Sequence, residues 1–368
     1  MNDSDKMPIS FKPNYSISAE TASALMQIES VRRDIDDLPI TPSVLASLRE
    51  TARLYSTHYS TMIEGNQLMA DDVAKVIEGS GHFPGRERDE KEVKGYYAAI
   101  EQLERHVQAS GAVSESIIGK LHALVMAGGR IVKTPTSYRD GQNVIRNSAD
   151  GAIVYMPPES PDVSRLMSGL VEWVNNNAQL PVPLLAGIAH YQFATIHPWY
   201  DGNGRTARLL TTLILHLGGY GLKGLYALEE YYARDLGAYY KALSLGPSHN
   251  YYMGRAEADI TPWIDYFIFG MRTSFAKVKT RAQEAAQDGQ QDRSDALRTL
   301  DPKQRKVLIL FQDKDEVTSK DIEELFELQP RTARVWCARW IEQDFIMMSN
   351  SSRKARKYRL AEKYQHLI

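Results

Sequence analysis

Apolar residues recur at helical spacing, three and four apart, along most of this chain. Thr41 is placed to cap a helix with Pro42 at its first position. Apolar residues at Val44, Leu45, Leu48 and Leu54 carry that helix to about Tyr55. Residues 1–40 read as an irregular arm, and a short second helix is expected from Ser60 to Gly65, where glycine stops it. Further stripes predict helices over about 89–109, 114–127, 162–177, 184–196, 205–217, 234–245 and 261–280. Two short β-prone runs, Val144-Ile145-Arg146 and Ala152-Ile153-Val154-Tyr155, flank a five-residue loop ending in Asp-Gly and predict a hairpin. A lone hairpin is marginal in water, so it must lean on neighbouring helices. From Arg281 to Ala296 no apolar side chain exceeds alanine, so residues 281–296 read as a linker.

Beyond the linker, helical patterns at about 302–311, 318–326 and 330–343 precede two strands, Phe345 to Met348 and Lys357 to Leu360. That order resembles a winged helix, whose second and third helices make a helix-turn-helix. The fold expected is mainly α. It has an N-terminal arm and helical region over 1–110, a core over 111–280, the linker, and a separate unit over 297–368.

Composition narrows the class. The balance of 43% hydrophobic and 24% charged residues over 368 positions is that of a globular protein. The single cysteine, Cys337, excludes a disulfide framework and a multi-cysteine zinc site. No apolar run reaches the ~18 residues of a bilayer span, and the polar start lacks a signal peptide's apolar stretch. A cytoplasmic protein with no membrane partner is expected. The formal net charge is −2, so the chain as a whole is no polycation. Locally the picture changes: between Arg331 and Arg359 there are eight basic and two acidic residues. With Arg331, Arg334 and Trp336 near the start of a candidate recognition helix, residues 297–368 could meet DNA, making a DNA-binding regulator the rival function. A protein-binding or dimer module is the alternative for the same unit.

The chemistry concentrates in His197-Pro198-Trp199-Tyr200-Asp201-Gly202-Asn203-Gly204-Arg205-Thr206-Ala207-Arg208, between one apolar helix and another. Gly-Asn-Gly before a helix N-terminus exposes backbone N–H groups to an anion. Arg205 and Arg208, three apart, share a helix face and can grip one polyphosphate. Asp201 could hold Mg²⁺ together with phosphate oxygens, and His197 is suited to accept a hydroxyl proton. No Ser or Cys sits in the loop as a nucleophile, which favours phosphoryl over acyl chemistry.

This stretch resembles the signature of the Fic (filamentation induced by cAMP) family, H-P-F-x-[DE]-G-N-G-R-x-x-R, with Trp199 in place of the usual phenylalanine. The resemblance extends over roughly residues 40–280. It implies a helical core with a hairpin flap, and transfer of AMP from ATP to a Ser, Thr or Tyr hydroxyl of a protein. By position, His197 would be the general base and Asp201 the Mg²⁺ ligand. Gly202, Asn203, Gly204, Arg205, Thr206, Ala207 and Arg208 would form the ATP-binding stretch, with Arg205 on the β-phosphate and Arg208 on the γ-phosphate. Tyr239 and Tyr240 resemble tyrosines bordering the adenine pocket, while Pro247 stands where some relatives place an asparagine. The flap, about Val144 to Met156, would dock a target segment by β-augmentation. Self-modification and a homodimer are left open.

Ser60-Thr61-Met62-Ile63-Glu64-Gly65 resembles the family's inhibitory motif, [ST]-x-x-x-E-[GN]. The resemblance implies that Glu64 pairs with Arg208 and blocks the γ-phosphate position. Removal of AMP, with Glu64 positioning a water, is the alternative enzymatic reading. His122, His190 and His216 lie in apolar helical stretches and read as core residues rather than ligands.

Overall fold

The computed structural model describes residues 8–38, 40, 42–132, 134–146, 151–288, 300–311, 314–350, 356–365 and 367–368. They form two compact units, Met1–Arg32 with Thr51–Ala276, and Arg33–Glu50 with Lys277–Ile368.

The first unit is helical. Its elements are α1 (Ala19–Asp37), α2 (Pro42–Ile63), α3 (Ala70–Glu78), α4 (Glu87–Gln108), α5 (Glu115–Ala127), α6 (Ser160–Asn176), α7 (Val182–Ile196), α8 (Asn203–Leu217), α9 (Glu229–Arg234), α10 (Leu236–Leu243) and α11 (Thr261–Asp288). The unit boundary falls inside α1, α2 and α11. At the centre lies α7, buried from Pro183 through Phe193 on every face, which is why its sequence is apolar without a polar side. A Cβ on Gly187 would come within 2.8 Å of the Phe267 ring, so glycine there lets α11 pack close. α8 packs beside α7 and also meets α4 and α5.

Several expectations are corrected. The arm is not irregular, because α1 buries Thr21, Ala24, Ile28 and Ile35 at helical spacing. Ser18 caps it, its hydroxyl accepting from the Thr21 N–H at 3.0 Å. The stripe is thin, and polar residues surround it. The two helices expected over 41–65 are one, since no glycine or proline interrupts α2; Thr41 lies outside the described residues. α3 was not expected; it buries only Val73 and Val76 and ends on left-handed Gly79. α11 runs on to Asp288, so the first part of the expected linker is helical. Its Ala, Gln, Glu and Arg residues are good helix formers even without an apolar face. The rest of that linker, 289–296, lies outside the described residues.

The hairpin consists of β1 (Ile145–Arg146) and β2 (Ile153–Tyr155), antiparallel, with Ile145 opposite Tyr155. Loop residues Asn147 to Asp150 lie outside the described set. Two anchors hold it: the buried Tyr155 hydroxyl donates to the Thr195 carbonyl of α7 at 2.7 Å, and the Met156 N–H to the carbonyl of His249, in the segment after α10, at 2.8 Å. Ile153 and Val154 remain exposed.

The second unit holds α12 (Pro302–Val307), β3 (Val317–Thr318), α13 (Ser319–Phe326), α14 (Pro330–Glu342), β4 (Ile346–Asn350), β5 (Lys357–Leu360) and α15 (Glu362–Gln365). Its antiparallel sheet has the order β3-β5-β4. β3 was not expected: Val317 and Thr318 pair with β5 before the Thr318 side chain caps α13 in a capping box. Val307, Leu308, Phe311, Ile322, Cys337, Trp340 and Phe345 form its core. Trp336 joins that packing, edge-on to Phe326 and beneath the Lys303 ammonium, rather than facing outward. Among the described residues no helix is long and apolar enough to cross a membrane.

Candidate active site

The loop joining α7 to α8 is built by breaking the helix at His197, whose left-handed backbone (φ 51°) caps α7 and turns the chain. Trp199 then plugs the core, with its indole N–H donating to the Ser137 carbonyl at 2.9 Å. Asn203 folds back on the loop. Its Oδ1 accepts from the Trp199 N–H at 3.0 Å, and its amide donates to the Trp199 carbonyl at 2.7 Å. Gly202 takes a left-handed φ of 77°, and no side chain caps the N-terminus of α8. The first N–H groups of that helix therefore face outward without an intrahelical partner, and the helix dipole adds to them.

Two residues from other segments lock the loop. Arg139, buried, donates from its backbone N–H to the Pro198 carbonyl at 3.0 Å and from Nε to the His197 carbonyl at 3.0 Å. Its two Nη groups bond the carbonyls of Gly141 and Pro158. His122 stacks on Trp199 with centroids 3.9 Å apart, and its Nε2 lies 2.9 Å from the Asp201 carbonyl. Burial lowers its pKa to about 4, so it is neutral and donates there. His122 is thus buried as expected, but it buttresses the loop instead of filling the core passively.

His197 is partly exposed, with Nδ1 3.4 Å from the Ala194 carbonyl. A proton on Nδ1 leaves Nε2 as an acceptor. Burial of the ring lowers its pKa to about 4, which keeps it neutral at physiological pH. Asp201 is half-exposed; its Oδ1 accepts from the Gly202 N–H at 2.6 Å and from Arg205 Nη2 at 3.1 Å. Arg205 itself is buried, with Glu92 on its other side at 3.9 Å.

Arg208 is almost fully enclosed, its side chain 1% exposed. Its Nε donates to Ser60 Oγ at 2.8 Å, and its Nη2 to the Ser60 carbonyl at 2.9 Å and to Glu64 Oε1 at 2.8 Å. Burial works against its charge, and the Glu64 carboxylate more than compensates, so its pKa lies above the usual arginine range. Its Nη1 is buried with no hydrogen-bond partner among the described residues and lies 3.3 Å from where a Cβ on Gly204 would stand. Glu64 Oε1 crowds that same point, so a side chain at 204 would push the carboxylate aside from where it now lies. Glu64 sits in the turn just after α2, and the Tyr240 hydroxyl donates to the adjacent Ile63 carbonyl at 3.2 Å.

The other sequence candidates divide. Gly202, Asn203, Gly204, Arg205 and Arg208 come together around the loop with Asp201, His197, Ser60 and Glu64. Thr206 and Ala207 are buried in the first turn of α8, with the Thr206 hydroxyl bonded back to the Gly202 carbonyl at 2.9 Å. Tyr240 is exposed beside Glu64, whereas Tyr239 is buried and its hydroxyl meets His190 Nε2 at 3.0 Å. Sequence reasoning missed Arg139, Glu92 and Glu229. Glu229 is buried near Arg208, and its carboxylate accepts from the Tyr96 hydroxyl at 3.0 Å.

Comparison with known proteins adds independent findings. Residues 112–215 match the Fic/DOC family model. The chain is 27% identical over 286 residues to protein adenylyltransferase fic-1 of Caenorhabditis briggsae, spanning 75% of this chain and 53% of that protein. It is 28% identical over 209 residues to the Caenorhabditis elegans fic-1, spanning 55% and 39%. The chain thus spans about half the length, or less, of these curated relatives. A crystal structure of a Fic family protein from Desulfovibrio desulfuricans G20 superposes with a TM-score of 0.61 at 25% identity, covering 96% of this chain and 99% of that one. Fic-1 (residues 134–508) from C. elegans superposes with a TM-score of 0.58 at 24% identity, covering 73% of this chain and 74% of that one. The loop, α7, the hairpin and all but the last two residues of α8 fall within residues 112–215, the stretch similar to the Fic/DOC family model.

Proposed function

We propose that the chain is a protein adenylyltransferase held inactive by its own Glu64. The observation that carries this reading is the buried Arg208, one guanidinium nitrogen bound to Glu64 and another, beside Gly204, with no hydrogen-bond partner among the described residues. An orphaned buried cationic N–H at an uncapped helix N-terminus fits a phosphate chain, and Glu64 fills part of the space that chain needs. The adenylyltransferases among the relatives supply the nucleotide and the group transferred.

In this mechanism the α8 N-terminus and Arg205 bind the α- and β-phosphates, and Arg208 binds the γ-phosphate once Glu64 has left. The exposed Asp201 carboxylate fits Mg²⁺, which keeps waters and shares phosphate oxygens. When bound, that ion neutralises phosphate charge. A hydroxyl oxygen of the target, presented along the hairpin, attacks the α-phosphorus. The bond from that phosphorus to the oxygen bridging the β-phosphate breaks, pyrophosphate leaves, and the hydroxyl proton passes to His197 Nε2. General base catalysis of this type contributes ~10²–10⁴-fold.

Intact mass of the purified chain with ATP and Mg²⁺, with and without a denatured lysate as acceptor pool, tests the reading. Glu64→Gly is expected to add AMP where the wild type adds little, and Glu64→Gly with His197→Ala to add none while still binding ATP. Equal labelling by wild type and Glu64→Gly would remove the inhibitory role. AMP transfer surviving in the double variant would remove His197 as the base.

A further inference from the structure

We infer that the second unit carries a duplex-DNA-binding surface on α14, a site separate from the nucleotide loop. α13 and α14 are joined by three residues, Glu327-Leu328-Gln329, with Glu327 in the left-handed conformation (φ 52°). A three-residue connection between two helices has the length of a helix-turn-helix linker. One face of α14, with Ala333, Cys337 and Trp340, is buried in the unit's core. The opposite face presents Arg331, Arg334, Val335, Ala338 and Arg339, all exposed and spaced three and four apart. None of the three arginines makes an ion pair or side-chain hydrogen bond among the described residues, unlike Lys357 and Arg359, which are both held by Glu316. The helix's one carboxylate, Glu342, sits at its C-terminal end.

The chemistry of that face selects its occupant. An unpaired arginine has no carboxylate to give up and can fork onto guanine O6 and N7 or onto phosphate oxygens. Val335, 59% exposed between two arginines, supplies an apolar side chain of the kind that meets a thymine methyl. Thirteen residues make a helix about 20 Å long, and an α-helix fits the major groove of B-form DNA. The deep, narrow groove of A-form RNA would not admit it.

The test is fluorescence anisotropy of a labelled DNA duplex of random sequence titrated with the full chain over a series of salt concentrations. Wild type is expected to bind, with log affinity falling linearly in log salt. Arg331→Ala, Arg334→Ala and Arg339→Ala combined should lower affinity at least tenfold and flatten the slope by ~0.9 for each phosphate no longer neutralised. Arg334→Gln alone serves where the triple variant melts early, and it should flatten the slope by one such step. His197→Ala should bind DNA as wild type does, so failure here is distinct from failure of the transfer reaction. Absence of duplex binding at low salt would overturn the inference and leave a protein as the occupant of α14. Binding of unchanged affinity and slope in the arginine variants would overturn it equally.

Discussion

Arg139 does more for the candidate site than its ordinary appearance in the sequence suggests. Among the described residues its guanidinium has no carboxylate partner and is spent on three backbone carbonyls, one in the loop at His197 and two on either side of the hairpin at Gly141 and Pro158. Lysine could not make that fork, because it is a point charge with no planar arrangement of donors. Arg139→Ala is therefore expected to leave buried carbonyls unpaired, to cost about 3 kcal/mol in urea unfolding, and to reduce AMP transfer in the Glu64→Gly background. Arg139→Lys should recover little of either loss. Full transfer by a destabilised Arg139→Ala chain would show that the loop holds its shape unaided. At this scale the sequence was legible where the chemistry is contiguous. His197 to Arg208 is one run of twelve residues, and its types and order speak for themselves. The roles of Arg139, His122 and Glu229 were not legible, since each reaches the loop or Arg208 from a separate segment of the chain.

Among the elements, α2 matters most, because it delivers Ser60 and Glu64 to Arg208. Its last turn is held by more than that ion pair: the Tyr240 hydroxyl bonds the carbonyl of Ile63, one residue before Glu64. A hydrogen bond of this kind is worth about 1 kcal/mol net, or about fivefold in an opening equilibrium. Tyr240→Phe keeps the ring and removes only the hydroxyl, so it should raise AMP transfer a few-fold in the wild type. In the Glu64→Gly background the same change should do nothing further. Additive effects in the double variant would place Tyr240 outside the restraint. α4, α5, α6 and α8 were readable from their apolar stripes, and α7 from its unbroken apolar run. α1 was not, because its stripe is thin, and the continuity of α2 was not, because its polar middle looks like a break.

For the whole molecule, burial of histidine sets an acid limit. His190 is fully buried in α7 between the Thr211 and Tyr239 hydroxyls, and burial lowers its pKa to about 3. An unfolded chain protonates that imidazole near pH 6.5 while the folded chain does not. The unfolded state therefore binds more protons below pH 6.5, and stability falls as pH falls from there toward the folded pKa. From pH 7 to pH 5 the loss from this one group is about 2 kcal/mol, because the folded pKa lies well below 5. Urea midpoints should show that slope in the wild type and a shallower one in His190→Asn. An unchanged slope in the variant would assign the acid limit to other groups. The mainly helical class was legible in the chain's periodicity, but the boundary between the two units was not. It falls inside three helices, where no glycine, proline or change of composition marks it.

On the proposed reading, the space beside Gly204 that Glu64 occupies is also the space the nucleotide needs, so inhibition and binding draw on one volume. Because Glu64 is tethered, its hold does not dilute with the protein, whereas the nucleotide competes with it through its concentration. If the turn is open one part in ~100, the apparent affinity for the γ-phosphate falls ~100-fold below the intrinsic one. On the proposed reading the chain is then a threshold device, silent at low ATP and responsive over a range set by the stability of one turn. A partner that merely drew Glu64 aside would move that threshold without touching the nucleotide.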